Sequence, residues 1–258
     1  MNRIYLPIVF IFSLCFSNGQ TKTGNDNIYF IKTDTLISKN SWILLLPGSS
    51  GLTIFNDTSF YKRQADTLSK LGFNIILVDY KGFYKNSTIT NKPQGTTGEK
   101  IYWVIRNVID LAKELKFINT NQSGHVIGWS LAGEGIFKLL NDTAFVLKSN
   151  ITSAALFYPS NQTKIAITSS IPLLIQTGDK DKVTNVDNLK SQIVSTTKVT
   201  IIIYPDCYHG FDIESITEKK SFRFPPIVGK TYSFLYNKDA SDKAKQRLFE
   251  FLIEKNNR

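Results

Sequence analysis

The sequence predicts an α/β domain built around a mostly parallel central sheet with helices on both faces. Three observations carry that expectation. Short apolar runs such as 42–46 (Trp-Ile-Leu-Leu-Leu) and 74–79 (Asn-Ile-Ile-Leu-Val-Asp) lack alternation, as strands covered on both faces should. Between such runs stand stretches with a helical period, clearest in Ile101, Val104, Ile105, Val108, Ile109, Ala112 and Leu115. The two kinds of segment alternate along the chain with no linker and no internal repeat, the pattern of a parallel sheet joined by crossover helices.

Taken in order, 27–32 alternates enough for an edge strand, and 42–46 ends in the small-residue loop Pro47-Gly48-Ser49-Ser50-Gly51. A helical pattern over 59–71 closes at Gly72, a residue suited to a C-cap. The strand 74–79 runs into a Tyr/Gly-rich loop at 80–84 and a polar loop at 85–98, followed by the helix 99–117. Strand 124–127, helix 134–140 and strands 151–158 and 171–176 follow. A helix near 186–194 leads to strand 199–204; 212–238 reads as irregular, with Pro225 and Pro226, and 240–254 as a closing helix.

Composition narrows the function classes. With 258 residues, 42% of them hydrophobic, and 8 prolines, the chain has the substance for a full core and lacks the bias of a disordered protein. Arg3 followed by the apolar run 4–16 and the small residues Ser17 and Gly19 has the order of a signal peptide, with cleavage expected after Gly19. The apolar run is too short to span a bilayer, so 20–258 is expected as a single secreted or periplasmic unit without an integral membrane segment. Lipidation at Cys15 is disfavoured by the bulky Phe12 and Leu14 before it. The formal net charge of +10 is spread over scattered lysines rather than a basic stripe, so no nucleic-acid partner is expected. Of the two cysteines only Cys207 would remain after cleavage, which excludes an internal disulfide.

The chemistry centres on Gly128-Trp129-Ser130-Leu131-Ala132-Gly133, placed between a predicted strand and a predicted helix. A serine at the tip of such a turn, with small residues letting strand and helix cross closely, has the context of a nucleophile elbow; its plainer reading is a helix N-cap. A serine hydroxyl needs a base to become a nucleophile, and the base needs an orienting acid. The chain has two histidines. His125 lies inside a strand and reads as structural, which leaves His209, just past strand 199–204, as the candidate base. Asp179 and Asp181, in the loop after strand 171–176, compete for the acid's role; Asp181 is preferred because Val183 behind it can anchor the loop. Asp206 shares its loop with His209 and is poorly placed to reach the far side of the ring.

An oxyanion needs backbone N–H donors. Leu131, at the helix start, is one candidate, and Ser49, with Ser50 next in line, is the other. Tyr80, Trp129 and Tyr158, with Tyr84, fall at strand ends and are expected either to line an acyl pocket or to belong to the core. No cluster of metal-ligand residues is evident, so neither metal nor cofactor is expected.

These motifs resemble, in order and spacing, those of α/β-hydrolases, and most closely the dienelactone hydrolase family. Gly48-Ser49-Ser50-Gly51-Leu52 resembles that family's loop after the first central strand, and 126–133 its elbow. Gly178-Asp179-Lys180-Asp181-Lys182-Val183 resembles its acid loop, where the second aspartate serves. Residues 204–211 resemble its histidine loop and 236–252 its closing helix. The lactone-opening members carry cysteine at the elbow and glutamate in the first loop, where this chain has Ser130 and Gly48. The resemblance therefore implies the scaffold and an ester-type hydrolysis of a small molecule by Ser130, His209 and Asp181, rather than that lactone as substrate. Its rivals are a prolyl-oligopeptidase-type peptidase, which normally brings a second domain, and a non-catalytic binding protein on the same scaffold.

Overall fold

The computed structural model describes residues 21–22, 27–160, 166–194, 198–223 and 231–256, without the side chains at 21–22, 222–223 and 255–256. The N-terminal segment read as a signal peptide lies outside the described residues. Strands β1 (Thr21–Lys22), β2 (Ile28–Ile31), β3 (Ser41–Leu46), β4 (Asn74–Val78), β5 (Ser123–Trp129), β6 (Ile151–Phe157), β7 (Leu173–Gly178) and β8 (Val199–Tyr204) form one sheet in the order β1-β2-β4-β3-β5-β6-β7-β8. From β4 across to β8 every pairing is parallel, and β1 and β2 close one edge with antiparallel pairings.

Alternation along the strands feeds two cores. Trp42, Leu44 and Leu46 of β3 face one layer, with Ile43 and Leu45 facing the other. The first layer packs against α3 (Thr97–Glu114) and α4 (Ala132–Asn141) through Ile101, Val104, Ile105, Ile136 and Leu139. The second packs against α1 (Phe60–Lys70) and α7 (Lys238–Asn256) through Phe60, Ala65, Leu68, Ala244 and Leu248. Central strands are buried on both faces, which is why their sequences are unbroken apolar runs.

The structure differs from the sequence expectation in four places. Tyr80–Asn86 is a helix, α2, rather than a loop: Tyr80 and Phe83 bury one face of it, so tertiary packing outweighs the helix-breaking tendency of Gly82. The polar stretch before α3 is accordingly shorter, and α3 begins at Thr97, where Thr96 and Glu99 form a capping box. A short helix α5 (Thr143–Lys148), which the sequence did not suggest, follows α4, whereas helix α6 (Val186–Gln192) precedes β8 where a helix was expected. The segment read as irregular holds an antiparallel pair, β9 (Lys220–Arg223) and β10 (Thr231–Phe234).

The chain leaves β3 for β4 on one side, then returns through α3 to β5 on the other. That reversal opens a crevice between the carboxyl ends of β3 and β5, where Leu46 pairs with Gly128.

Candidate active site

Ser130 sits at the crevice with φ +50°, a left-handed backbone that a β-carbon makes costly. Its surroundings over-determine that turn. The Ser130 N–H donates to Phe157 O at 3.0 Å, and Ser130 O accepts from the N–H groups of Gly133 and Ser160 at 3.0 and 2.8 Å. Gly128 is required by the crossing of β5 and α4, since a β-carbon there would lie 2.4 Å from Ile136 Cδ1. Ser130 is half-buried, unlike the fully buried Trp129 before it.

His209 and Asp181 arrive from two other strand ends. His209 Nε2 lies 2.9 Å from Ser130 Oγ, and its Nδ1 lies 2.8 Å from Asp181 Oδ2. Asp181 is buried, and its Oδ1 accepts from the N–H groups of Val183 and Thr184 at 2.8 and 2.9 Å. The Thr177 hydroxyl also donates to Oδ2, at 3.4 Å, and these four contacts leave that carboxylate one orientation. Of the competing acids, Asp179 accepts from the Cys207 N–H at 3.3 Å, tying the acid loop to the histidine loop. Asp206 pairs with Lys180. Gly178 makes the approach of these loops possible, because a β-carbon there would stand 2.0 Å from Cys207 O.

The histidine ring is held by aromatics. Tyr158 packs against it edge to face at 4.5 Å between centroids, and Phe234 of β10 does so at 5.3 Å. Tyr158 is itself left-handed, with φ +38°. Of the four aromatic residues weighed for an acyl pocket, Tyr80, Trp129 and Tyr158 are buried, with their polar atoms bonded inside the protein, and Tyr84 is half-buried, its hydroxyl donating to Pro93 O. Tyr80 Oη donates to Gly48 O at 3.1 Å. Trp129 Nε1 and Tyr158 Oη donate to the two oxygens of Asp212 at 2.9 and 2.6 Å. Trp129 and Tyr158 belong to one core layer and Tyr80 to the other, and Tyr158 and Trp129, joined through Asp212, form the floor beneath His209 and Ser130.

Asp212 was missed in the sequence. Burial raises its carboxyl above the usual range, against the lowering effect of the Tyr158 and Trp129 hydrogen bonds. Its signal was an acid between Phe211 and Ile213, a position that reads as buried. Phe234 was missed with its strand, although Thr231-Tyr232-Ser233-Phe234 alternates as a half-buried strand does. Tyr61 was also missed; its Oη accepts from the Gly48 N–H at 2.9 Å.

The first loop lies against the serine. A β-carbon on Gly48 would come 3.4 Å from Ser130 Cβ. Among the described residues, no protein acceptor bonds the N–H of Leu131 or of Ser49. Also among the described residues, no group of three or more His, Cys, Asp or Glu is placed to hold a metal, and no helix is long and apolar enough to cross a membrane. The arrangement places a hydroxyl against an imidazole and the imidazole against a buried carboxylate, a path along which a proton can leave the hydroxyl.

Comparison with known proteins gives the same architecture. The model of a family described as the dienelactone hydrolase family matches residues 59–255, which takes in Ser130, Asp181 and His209 and begins after the Gly48–Ser49 loop. Among solved structures, paraoxon-phosphorylated esterase 2 of Thermogutta terrifontis matches with 15% identity and a TM-score of 0.57, over 88% of each chain. A predicted CIB-like hydrolase of Thermoplasma acidophilum matches with 20% identity and a TM-score of 0.52, over 74% of this chain and 87% of that one. An alpha-beta serine hydrolase homologue from Coxiella burnetii matches with 12% identity and a TM-score of 0.51, over 76% and 90%. At these identities the likeness is one of fold. No curated protein matches the chain.

Proposed function

The chain belongs to the dienelactone hydrolase family, and on that footing we propose that it is an exported serine hydrolase cleaving small carboxylic esters through Ser130, His209 and Asp181. The observation that carries the reading is the unbroken path from Ser130 Oγ to His209 Nε2 at 2.9 Å and from His209 Nδ1 to Asp181 at 2.8 Å.

In this reading Ser130 Oγ attacks the acyl carbon while its proton passes to His209 Nε2. The carbonyl oxygen becomes an oxyanion, met by the N–H groups of Leu131 and Ser49; one such donor is worth on the order of 3 kcal/mol. Collapse of the tetrahedral intermediate breaks the ester C–O bond, and His209 returns the proton to the leaving alcohol. Water, deprotonated by the same nitrogen, then releases the acid from the acyl-enzyme. Asp181 holds the imidazole in the tautomer with hydrogen on Nδ1 and stabilises the imidazolium that forms. The side chains present supply every step.

Export rests on the order of charged, apolar and small residues in 1–19, with 20–258 working as one hydrolase unit. The mass of the protein recovered from its native host reads whether the chain begins at Gln20. The catalytic reading is tested with p-nitrophenyl acetate and butyrate, comparing the wild-type chain with Ser130→Ala. Turnover lost with the serine, together with labelling of Ser130 by a fluorophosphonate, supports it. Equal background rates and no labelling sink it in favour of a binding protein on a hydrolase scaffold. That esterase 2 of Thermogutta terrifontis is phosphorylated by paraoxon recommends an organophosphorus probe.

A further inference from the structure

The loop after β3 is restrained far more than an exposed turn needs to be. Residues 48–51 form a β-turn in which the Gly51 N–H donates to Gly48 O at 3.1 Å. The same carbonyl accepts the Tyr80 hydroxyl at 3.1 Å, the Gly48 N–H donates to Tyr61 Oη at 2.9 Å, and Ser49 O accepts the Lys81 ammonium. Tyr80 and Lys81 are consecutive residues at the carboxyl end of β4, the strand beside β3. Three side chains thus fix three successive peptides, Tyr61 on 47–48, Tyr80 on 48–49 and Lys81 on 49–50, and the Ser49 N–H between those anchors has no protein acceptor among the described residues.

A trans peptide is planar, with its C=O and N–H pointing in opposite directions, so a bond that fixes the Gly48 carbonyl also fixes the Ser49 N–H. The alternative is a peptide flip. Glycine at 48 makes that flip cheap, and it would turn a carbonyl oxygen toward the place of a developing negative charge. We infer that Tyr80, on the Gly48–Ser49 peptide, and Lys81, on the Ser49–Ser50 peptide that follows, are positioning residues that latch the two peptides flanking Ser49 and keep the Ser49 N–H available to the oxyanion. The inference rests on the proposed ester hydrolysis and adds to it two side chains that never touch the substrate. Burial raises the Tyr80 phenol well above neutral pH, so it remains a donor wherever such an enzyme works. A hydrogen bond to a carbonyl also polarises its peptide and strengthens the N–H as a donor.

The test is a double-mutant cycle between Tyr80→Phe and Ser49→Pro. Tyr80→Phe keeps the buried ring and removes one hydroxyl. Ser49→Pro suits the second position of a β-turn and deletes the N–H itself. Ser49→Pro is expected to lower kcat about 100-fold, the scale of one lost oxyanion donor. Tyr80→Phe is expected to lower kcat about tenfold with KM unchanged, and to weaken a trifluoromethyl ketone, which forms an oxyanion on Ser130, by the same factor. In the double variant the Tyr80 effect should vanish, because the group it positions is gone. Lys81→Met, at an exposed side chain, runs through the same cycle and is expected to cost about threefold, which keeps the inference testable should Tyr80→Phe not fold. Losses that multiply in the double variants, or a lower Tm with kcat and ketone affinity unchanged, overturn it. A wild-type chain that neither turns over esters nor takes a fluorophosphonate at Ser130 overturns the ester reading and this inference with it. An active wild type beside unaffected Tyr80 and Lys81 variants overturns the inference alone.

Discussion

The structure contains two serine–histidine pairs, one in the middle of the sheet and one at its end. His125 Nδ1 lies 2.8 Å from Ser153 Oγ across the β5–β6 register, and His209 Nε2 lies 2.9 Å from Ser130 Oγ. Both imidazoles are buried, at 0% and 4% exposure, so burial does not distinguish them. What differs is the other nitrogen. His125 Nε2 has no hydrogen-bond partner among the described residues, and desolvation lowers the group's pKa to about 4, so it stays neutral in the fold. His209 has Asp181 on its second nitrogen, an acid able to stabilise the imidazolium that a proton transfer creates. The hydroxyls differ as well: Ser153 is fully buried on extended backbone, whereas Ser130 stands at a left-handed turn beside a crevice. A hydroxyl beside an imidazole becomes a reactive pair only with a third group behind it and an opening in front.

The largest test of that contrast exchanges the two serines. Ser130→Ala is expected to lower kcat by on the order of 10⁶-fold, the scale of losing a catalytic serine, while Ser153→Ala leaves kcat within about twofold. The latter should cost about 1 kcal/mol of stability by removing a buried hydrogen bond. Ester turnover and urea unfolding of both variants check this; a Ser153→Ala chain as inactive as Ser130→Ala would erase the distinction. Next in size is the third group. Asp181→Asn keeps shape and size but favours the wrong tautomer at His209, and is expected to cost about 10⁴-fold in kcat. Asparagine at 181 with near-normal kcat would show that the acid is dispensable.

Beneath the strand-end pair lies Asp212, whose two acceptor bonds join the floor under Ser130 to the floor under His209. Asp212→Ala leaves the Trp129 N–H and Tyr158 O–H unpaired in the interior and is expected to cost roughly 3 kcal/mol. Asp212→Asn can still accept from Trp129 and donate to Tyr158 Oη, so it should cost less than half of that. Urea unfolding at neutral pH ranks the two, and equal losses would show that the charge, rather than the hydrogen bonds, is what the floor requires.

How far the sequence foretold this arrangement depends on the range of each interaction. Strands β3 and β4 were legible because double burial writes itself as an unbroken apolar run. The strand–turn–helix around Ser130 was legible for a similar reason: Gly128 and Ser130 answer to steric demands within a few residues. Helix α2 was not legible, because Gly82 speaks against it locally and the burial of Tyr80 and Phe83 decides it from outside. Asp212 escaped for the same reason on a larger scale. Asp212 meets Trp129 across 83 positions and Tyr158 across 54, and no local pattern encodes a partner that distant. The acid loop stands between these cases: 179 and 181 were both visible as candidates, local N–H groups of Val183 and Thr184 orient Asp181 toward the ring, and the close packing of Cys207 on Gly178 puts Asp179 on a backbone N–H.

The remaining effect belongs to the interior pair, leaves kcat at neutral pH untouched and shows only in acid. The folded chain holds His125 at about 4, below the ordinary value of 6.5 that the unfolded chain regains. Between those values the unfolded state binds a proton that the folded state refuses, so stability must fall as pH falls. Above about pH 8 both states are neutral at this position and the residue contributes no slope. At pH 5 the loss attributable to His125 is about 2 kcal/mol, and below pH 4 it levels off near 3 kcal/mol. His125→Gln cannot titrate there, so its urea midpoint should decline less steeply than the wild type's from pH 7 to pH 5. Parallel declines would mean that His125 accepts a proton inside the sheet, and that the two pairs differ less in their electrostatics than their geometry implies. A shallower decline in the variant, with kcat unchanged at pH 7, would separate the histidine that stabilises by staying neutral from the one that works by becoming charged.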